Sequence, residues 1–206
     1  MDKETARIEA FSDGVFAIAI TLLVLELKIP HESDVGEAAL STLLLRQWPA
    51  YVSFVISFAF IGIMWINHHR LFNHIKRADN TLMILNLLLL MGVTAVPFPT
   101  AILSQHLGHF DDRLAVLVFN GTYVVIAIVF NVLWRYAVRE GRLLGHDADL
   151  TTIEHITKQY AFGPVLYLVA FGLAWVSLAA SLALSFALAI FFALPPHVAT
   201  RHKREG

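Results

Sequence analysis

Arg7, Glu9, Ser12 and Asp13 stand at the threshold of an apolar run from Gly14 to Leu25. Asp13 lies only a turn or two inside that run. An unpaired charge there costs roughly 2.5–3.5 kcal/mol on insertion scales, so it should have a partner and a reason. A second chemistry-bearing group follows at Trp65-Ile66-Asn67-His68-His69-Arg70. Trp65, His68, His69 and Phe72 share one helical face at i, i+3, i+4 and i+7 spacing. If the two segments are neighbouring helices, Arg7, Asp13, His68 and Arg70 reach the same membrane depth. They are then expected to form an ion-pair and hydrogen-bond cluster, which Asn86, inside the next apolar run, can join.

Catalytic patterns are few. No GxSxG, Walker loop or glycine-rich dinucleotide turn occurs, and neighbours such as Ser12 and Asp13 do not face each other on a helix, so no enzyme is expected. With no cysteine, no HExxH spacing and adjacent histidines pointing about 100° apart, neither metal nor cofactor is expected. There is no TVGYG-like segment, so ion selectivity cannot come from a backbone-carbonyl filter.

These residues need a scaffold, and the composition says which. The chain has 206 residues, 57% of them hydrophobic and 15% charged, with mean hydropathy +0.66. The apolar excess is gathered into long runs, which indicates an all-α, multi-pass membrane protein embedded in a lipid bilayer. A net charge of −1 leaves no basic surface for nucleic acid. No small-residue cleavage site follows the first apolar stretch, so it is expected to remain as a helix rather than leave as a signal peptide.

Six apolar segments define one domain over 1–206, at about 8–29, 48–67, 80–104, 114–136, 160–178 and 181–195. The last two form one uncharged run, too long for a single span, which we divide near Ser177–Ser181. With six spans, twelve of the fifteen Lys and Arg residues fall on one side, leaving only Lys28, Arg46 and Arg113 on the other. The positive-inside rule then puts both termini in the cytoplasm of a cell-membrane protein. The first external loop, with His31, Glu32, Asp34 and Glu37, is acidic. Asp149 to Ile156 reads as a capped amphipathic helix at the surface. Pro97 and Pro99 should end or kink the third helix, and Pro195-Pro196 should stop the sixth.

On the first helix Ile18, Leu22 and Leu25 fall within about 60° of one another, Phe11 and Gly14 lie on the same line, and Thr21 sits on its edge. Asp13 lies about 140° from Ile18. Leu23, also about 140° around, is expected to face lipid. By periodicity alone such a stripe is a lipid or packing surface more often than a pore lining.

The spacing Arg7-(three residues)-Phe11-Ser12-Asp13, followed by Ala17-Ile18 and Thr21-Leu22, resembles the signature of the transmembrane protein 175 family of potassium-permeable channels. Trp65 with His68-His69-Arg70 resembles that family's second-helix pattern. The resemblance implies a homotetramer of six-helix protomers, as in prokaryotic members, with four first helices around a central pore. It also implies an apolar constriction seven positions after the motif phenylalanine, here Ile18, with further pore-facing positions at Thr21, Leu22 and Leu25. Arg7, Phe11, Ser12, Asp13, Trp65, His68, His69 and Asn86 would form the structural motif network, although an ideal helix puts Arg7 at the pore mouth. The implied function is potassium permeation with modest preference over sodium, and proton passage besides. A secondary transporter using Asp13 as a proton or cation site is the alternative, and it usually carries internal repeats with broken helices, which are not visible here.

Overall fold

The computed structural model describes residues 3–28, 39–107, 112–145 and 148–194. The acidic first loop and Pro195-Pro196 lie outside them. Within the described residues all regular structure is helical: α1 (Lys3–Leu22), α2 (Leu40–Arg46), α3 (Trp48–His74), α4 (Asn80–Ala95), α5 (Pro97–His106), α6 (Asp112–Val138), α7 (Leu150–Ala161), α8 (Gly163–Leu173) and α9 (Leu178–Ala193), with two short 3-10 turns. Four stretches are long and apolar enough to cross a membrane: Thr5–Glu26, Trp48–His74, Asn80–His106 and Asp112–Gly141.

Prolines set the breaks. Pro97 has no N–H to offer the Val93 carbonyl, which accepts instead from Val96 at 3.2 Å, and the chain pivots there from α4 into α5. Pro164, in the first turn of α8, likewise leaves the Tyr160 carbonyl without its helical donor. The Asn131 amide of α6 donates to that carbonyl at 2.7 Å. The fifth segment is therefore not one helix over 160–178. It is the end of amphipathic α7, a corner, and an eleven-residue α8. Asp149 starts α7 by accepting from the Thr151 N–H at 3.0 Å and from the Thr152 hydroxyl at 2.6 Å.

The uncharged run breaks after Leu173, and Ser177 caps α9. Buried serines then hold the two short helices to α6. Ser181 Oγ donates to the Ala170 carbonyl at 2.6 Å and accepts from Asn120 Nδ2 at 2.7 Å, while Ser185 Oγ donates to Asn120 Oδ1 at 2.9 Å. In an apolar medium every such group must find a partner inside the protein, so these bonds fix the register of α6 against α8 and α9.

α1 packs against α3 and α4, α3 also meets α5 and α9, and α6 lies against α4, α5, α8 and α9. Phe60, Phe119 and Tyr123 stack and edge-pack at the α3–α6 contact. Phe16, Ala19 and Leu23 fill the α1 side of the core and are fully buried. Leu23 thus does not face lipid: four residues beyond Ala19, it continues the buried stripe of Ser12, Phe16 and Ala19 that packs into the bundle, and the chain tightens into a 3-10 turn only from there.

Candidate polar anchor and outward stripe of the first helix

α1 carries two faces of different chemistry. On the packed face Ser12 is fully buried and its hydroxyl donates to the Ile8 carbonyl at 2.8 Å. It also accepts from Asn86 Nδ2 of α4 at 3.0 Å. The Asn86 oxygen meets His68 Nε2 of α3 at 2.9 Å. With the amide nitrogen committed to Ser12, that oxygen is the acceptor and His68 is protonated on Nε2. Its Nδ1 is left as a buried acceptor with no partner among the described residues. The imidazole is stacked on Phe72, with ring centroids 4.4 Å apart, and also meets the tilted Phe16 ring at 5.5 Å. Three helices are tied at one point by neutral groups.

Beside it runs a shorter ladder. Trp65 Nε1 donates to Asp13 Oδ1 at 2.8 Å, and His69 Nδ1 meets Glu9 Oε1 at 2.7 Å, an ion pair whenever His69 is protonated. Glu9 and Asp13 are four residues apart on α1, as are Trp65 and His69 on α3, so two antiparallel helices bring equal spacings into register.

This geometry corrects the expected cluster of Arg7, Asp13, His68 and Arg70. Asp13 finds an indole N–H, not a cation. Arg70 turns away from α1, and its guanidinium donates to the Ala193 carbonyl at 2.7 Å and to those of Phe192 and Leu194 at 3.3 and 3.4 Å. There it meets the negative end of α9. Arg7 is exposed and stands beside a groove with Phe11, Asp79, Asn80 and Met83, with no bond to Ser12 or Asp13. The Glu9–His69 rung was missed by sequence reasoning, although the matched i, i+4 spacings were its signal. Among the described residues no group of three His, Asp or Glu side chains is arranged to hold a metal.

The opposite face of α1 is apolar and uncovered. Phe11, Ile18, Leu22 and Leu25 are 57%, 59%, 41% and 70% exposed. Gly14, Ala17 and Thr21 lie open between them, and the Thr21 hydroxyl donates back to the Ile18 carbonyl at 2.8 Å.

A tie of a different kind joins the α3–α4 and α6–α7 connections. Lys76 and Arg77 donate from their backbone N–H groups to the Leu143 carbonyl at 2.9 and 3.2 Å. Asp79 caps α4 through the Leu82 N–H at 2.9 Å, and its other oxygen accepts from the Tyr136 hydroxyl at 2.6 Å and from Arg142 at 3.2 Å. The Tyr136 hydrogen bond first, then the capping N–H, holds the Asp79 carboxyl below its ordinary range.

Known proteins resemble this chain in sequence and fold. The family described as "Endosomal/lysosomal potassium channel TMEM175" matches residues 7–97, the stretch holding α1 to α4 and thus the whole anchor. A protein of Chamaesiphon minutus named a potassium channel is 54% identical over 93% of this chain and 94% of its own length. One of Streptomyces collinus, also named a potassium channel, is 43% identical over 92% of this chain and 91% of its own. The Bos taurus endosomal/lysosomal proton channel TMEM175 is 33% identical over 91% of this chain but only 40% of its own length. The crystal structure of a lysosomal potassium-selective channel TMEM175 homologue from Chamaesiphon minutus superposes with a TM-score of 0.85 at 50% identity, covering 93% of this chain and 97% of that one. With this degree of identity over nearly the full length of both chains, the protein belongs to the TMEM175 family of membrane channels.

Proposed function

We propose that the chain assembles as a homotetrameric, potassium-permeable channel whose pore is lined by the outward face of α1. The carrying observation is the contrast on that helix: Ile18 and Leu25 are 59% and 70% exposed, while Ser12, Ala19 and Leu23 on the other side are fully buried. A single helix cannot enclose a pore, and a closed ring of identical chains is the economical way to cover one repeated stripe. Gly14 and Ala17 leave room for neighbouring α1 helices to approach. The relatives named potassium channels support the choice of ion.

In this reading the chain crosses a cell membrane six times, through α1, α3, the α4–α5 pair, α6, α8 and α9, with both termini cytoplasmic and α7 at the surface. Four Ile18 side chains form an apolar constriction that empties of water when narrow and passes a partly dehydrated ion when wider. Potassium sheds hydration water at lower cost than sodium, so it is favoured, though only modestly without a carbonyl cage. Thr21, Leu22 and Leu25 line the path beyond the ring. Protons can pass whenever the constriction is wet, in keeping with the relatives named proton channels. The anchor of Ser12, Asp13, Trp65, His68, His69 and Asn86 sets how each α1 leans, and hence the ring's width; Phe11 and Arg7 stand at its mouth.

Recording from purified protein in bilayers under opposed potassium and sodium gradients tests the reading. Ile18→Asn should raise current several-fold and move the reversal potential toward zero while the tetramer persists. Val125→Ala, on an exposed face of α6, should change neither. Unchanged current and reversal potential in Ile18→Asn tetramers would refute the pore assignment. Saturable flux coupled to a second ion, abolished by Asp13→Asn, would favour a transporter.

A further inference from the structure

α6 leaves one strip of its surface uncovered. Val125, Ile128 and Val132 are 59%, 46% and 45% exposed, at i, i+3 and i+7 spacing. Followed along the helix, the same line reaches Arg135 and then Arg139, which opens the 3-10 turn after α6; both are exposed. At about 100° per residue the five side chains fall within about 80° of one another. The strip therefore passes from alkyl to guanidinium without leaving its face. Val125 to Arg135 is a rise of about 15 Å, half of the roughly 30 Å hydrocarbon core, so the strip covers one leaflet and ends where phosphates begin.

The charges at that end are not consumed by the protein's own carboxylates. Arg135 makes no hydrogen bond or ion pair among the described residues. Arg139 meets Glu140 at 3.5 Å, but the two side chains are 78% and 75% exposed, so water weakens the pair. On the facing elements Asp79 is bonded to Arg142 and the Tyr136 hydroxyl, and Glu154 is paired with Lys158 at 2.6 Å. The two outward arginines are left for a ligand. A cation in the last turn also suits the negative end of α6, but that role calls for no alkyl strip leading up to it.

We propose that this strip binds an anionic glycerophospholipid of the adjoining leaflet, the cytoplasmic one in the proposed topology. Its phosphate sits on Arg135 and Arg139, and an acyl chain runs along Val132, Ile128 and Val125. A second copy of the chain fits less well, because it would bury both guanidinium groups and would have to bring carboxylates to them. The site requires that the chain span a bilayer and not that α1 line a pore.

Native mass spectrometry of the purified full-length protein, titrated with palmitoyl-oleoyl phosphatidylglycerol or the phosphatidylcholine of the same chains, tests it. The wild type should hold the anionic lipid about five-fold or more tighter than the zwitterionic one, and Arg135→Gln/Arg139→Gln should remove that preference while leaving phosphatidylcholine retention unchanged. Arg113→Gln, in the first turn of α6 at its opposite end, should keep it. Neither inorganic phosphate nor dihexanoyl phosphatidylglycerol, which lacks the long chains, should displace the bound lipid. Equal retention of the two lipids, an unchanged preference in the double variant, or displacement by inorganic phosphate overturns the proposal. So does an oligomer that falls apart in the double variant with lipid retention unaltered, since a second copy is then the occupant. If the double variant misfolds, Arg135→Gln alone decides. Conduction plays no part in the readout, so the result stands apart from the channel reading.

Discussion

The two faces of α1 are built from neighbouring residues and meet opposite fates. Ser12 has a hydroxyl with every bond made, fully enclosed between three helices. Ile18, six residues on, has an apolar side chain more than half uncovered. In a soluble protein the reverse sorting holds. Here lipid does not drive apolar groups inward, so polar groups do the gathering and apolar ones are free to face outward. The contrast teaches that the fixed side of this helix is its polar side, and that the stripe inherits its position from bonds made elsewhere.

The largest effect should come from cutting the anchor at its centre. Asn86→Leu leaves Ser12 and His68 without their shared partner and should cost about 1–3 kcal/mol. A lowered thermal midpoint and loss of oligomer by size-exclusion chromatography would show it, and an unchanged midpoint would break the comparison. Trp65→Phe comes next. It keeps a ring but strands the Asp13 carboxylate, with an expected loss of about 1–2 kcal/mol by the same measurement.

Asp13→Asn should be milder, about 0.5–1 kcal/mol, because the amide oxygen still accepts from the Trp65 indole. A cation as the true partner would make Asp13→Asn the harsher of the two. Asp79 sharpens the point outside the membrane spans. Its folded carboxyl lies below the ordinary value of about 3.9, so its contribution is complete above that pH and is lost as pH falls through the folded value. Asp79→Asn, which keeps a capping side chain, should lower the thermal midpoint more at pH 7 than at pH 3. On the stripe, Thr21→Val should leave the midpoint within error, since it removes one exposed bond back to its own helix.

Much of α1 was legible because a helix imposes a period on its faces, and Phe11, Gly14, Ile18, Leu22 and Leu25 follow that period. The partners were harder. A carboxylate in an apolar run suggests a cation, but the nearest donor depends on which α3 residue the interhelical register brings alongside, and that proved to be Trp65. Arg70 was misplaced for a similar reason: the carbonyl cluster that attracts it exists only once α9 has docked 122 residues downstream. Asn120 and Ser185 were passed over, and Ser181 served only to divide the uncharged run, because, read singly in long apolar stretches, they look like interruptions and carry no period. The division of 160–178 was hidden in Pro164, whose consequence is settled by a side chain on another helix.

That corner between α7 and α8 sets a rule for how this architecture can vary. A proline bend normally leaves a loose carbonyl, and a loose carbonyl lets a joint flex. Here Asn131 staples it, so the joint behaves as a bracket with a set angle. The surface helix can then lengthen, shorten or change its charges, and the short span beneath it keeps its tilt so long as that one amide remains.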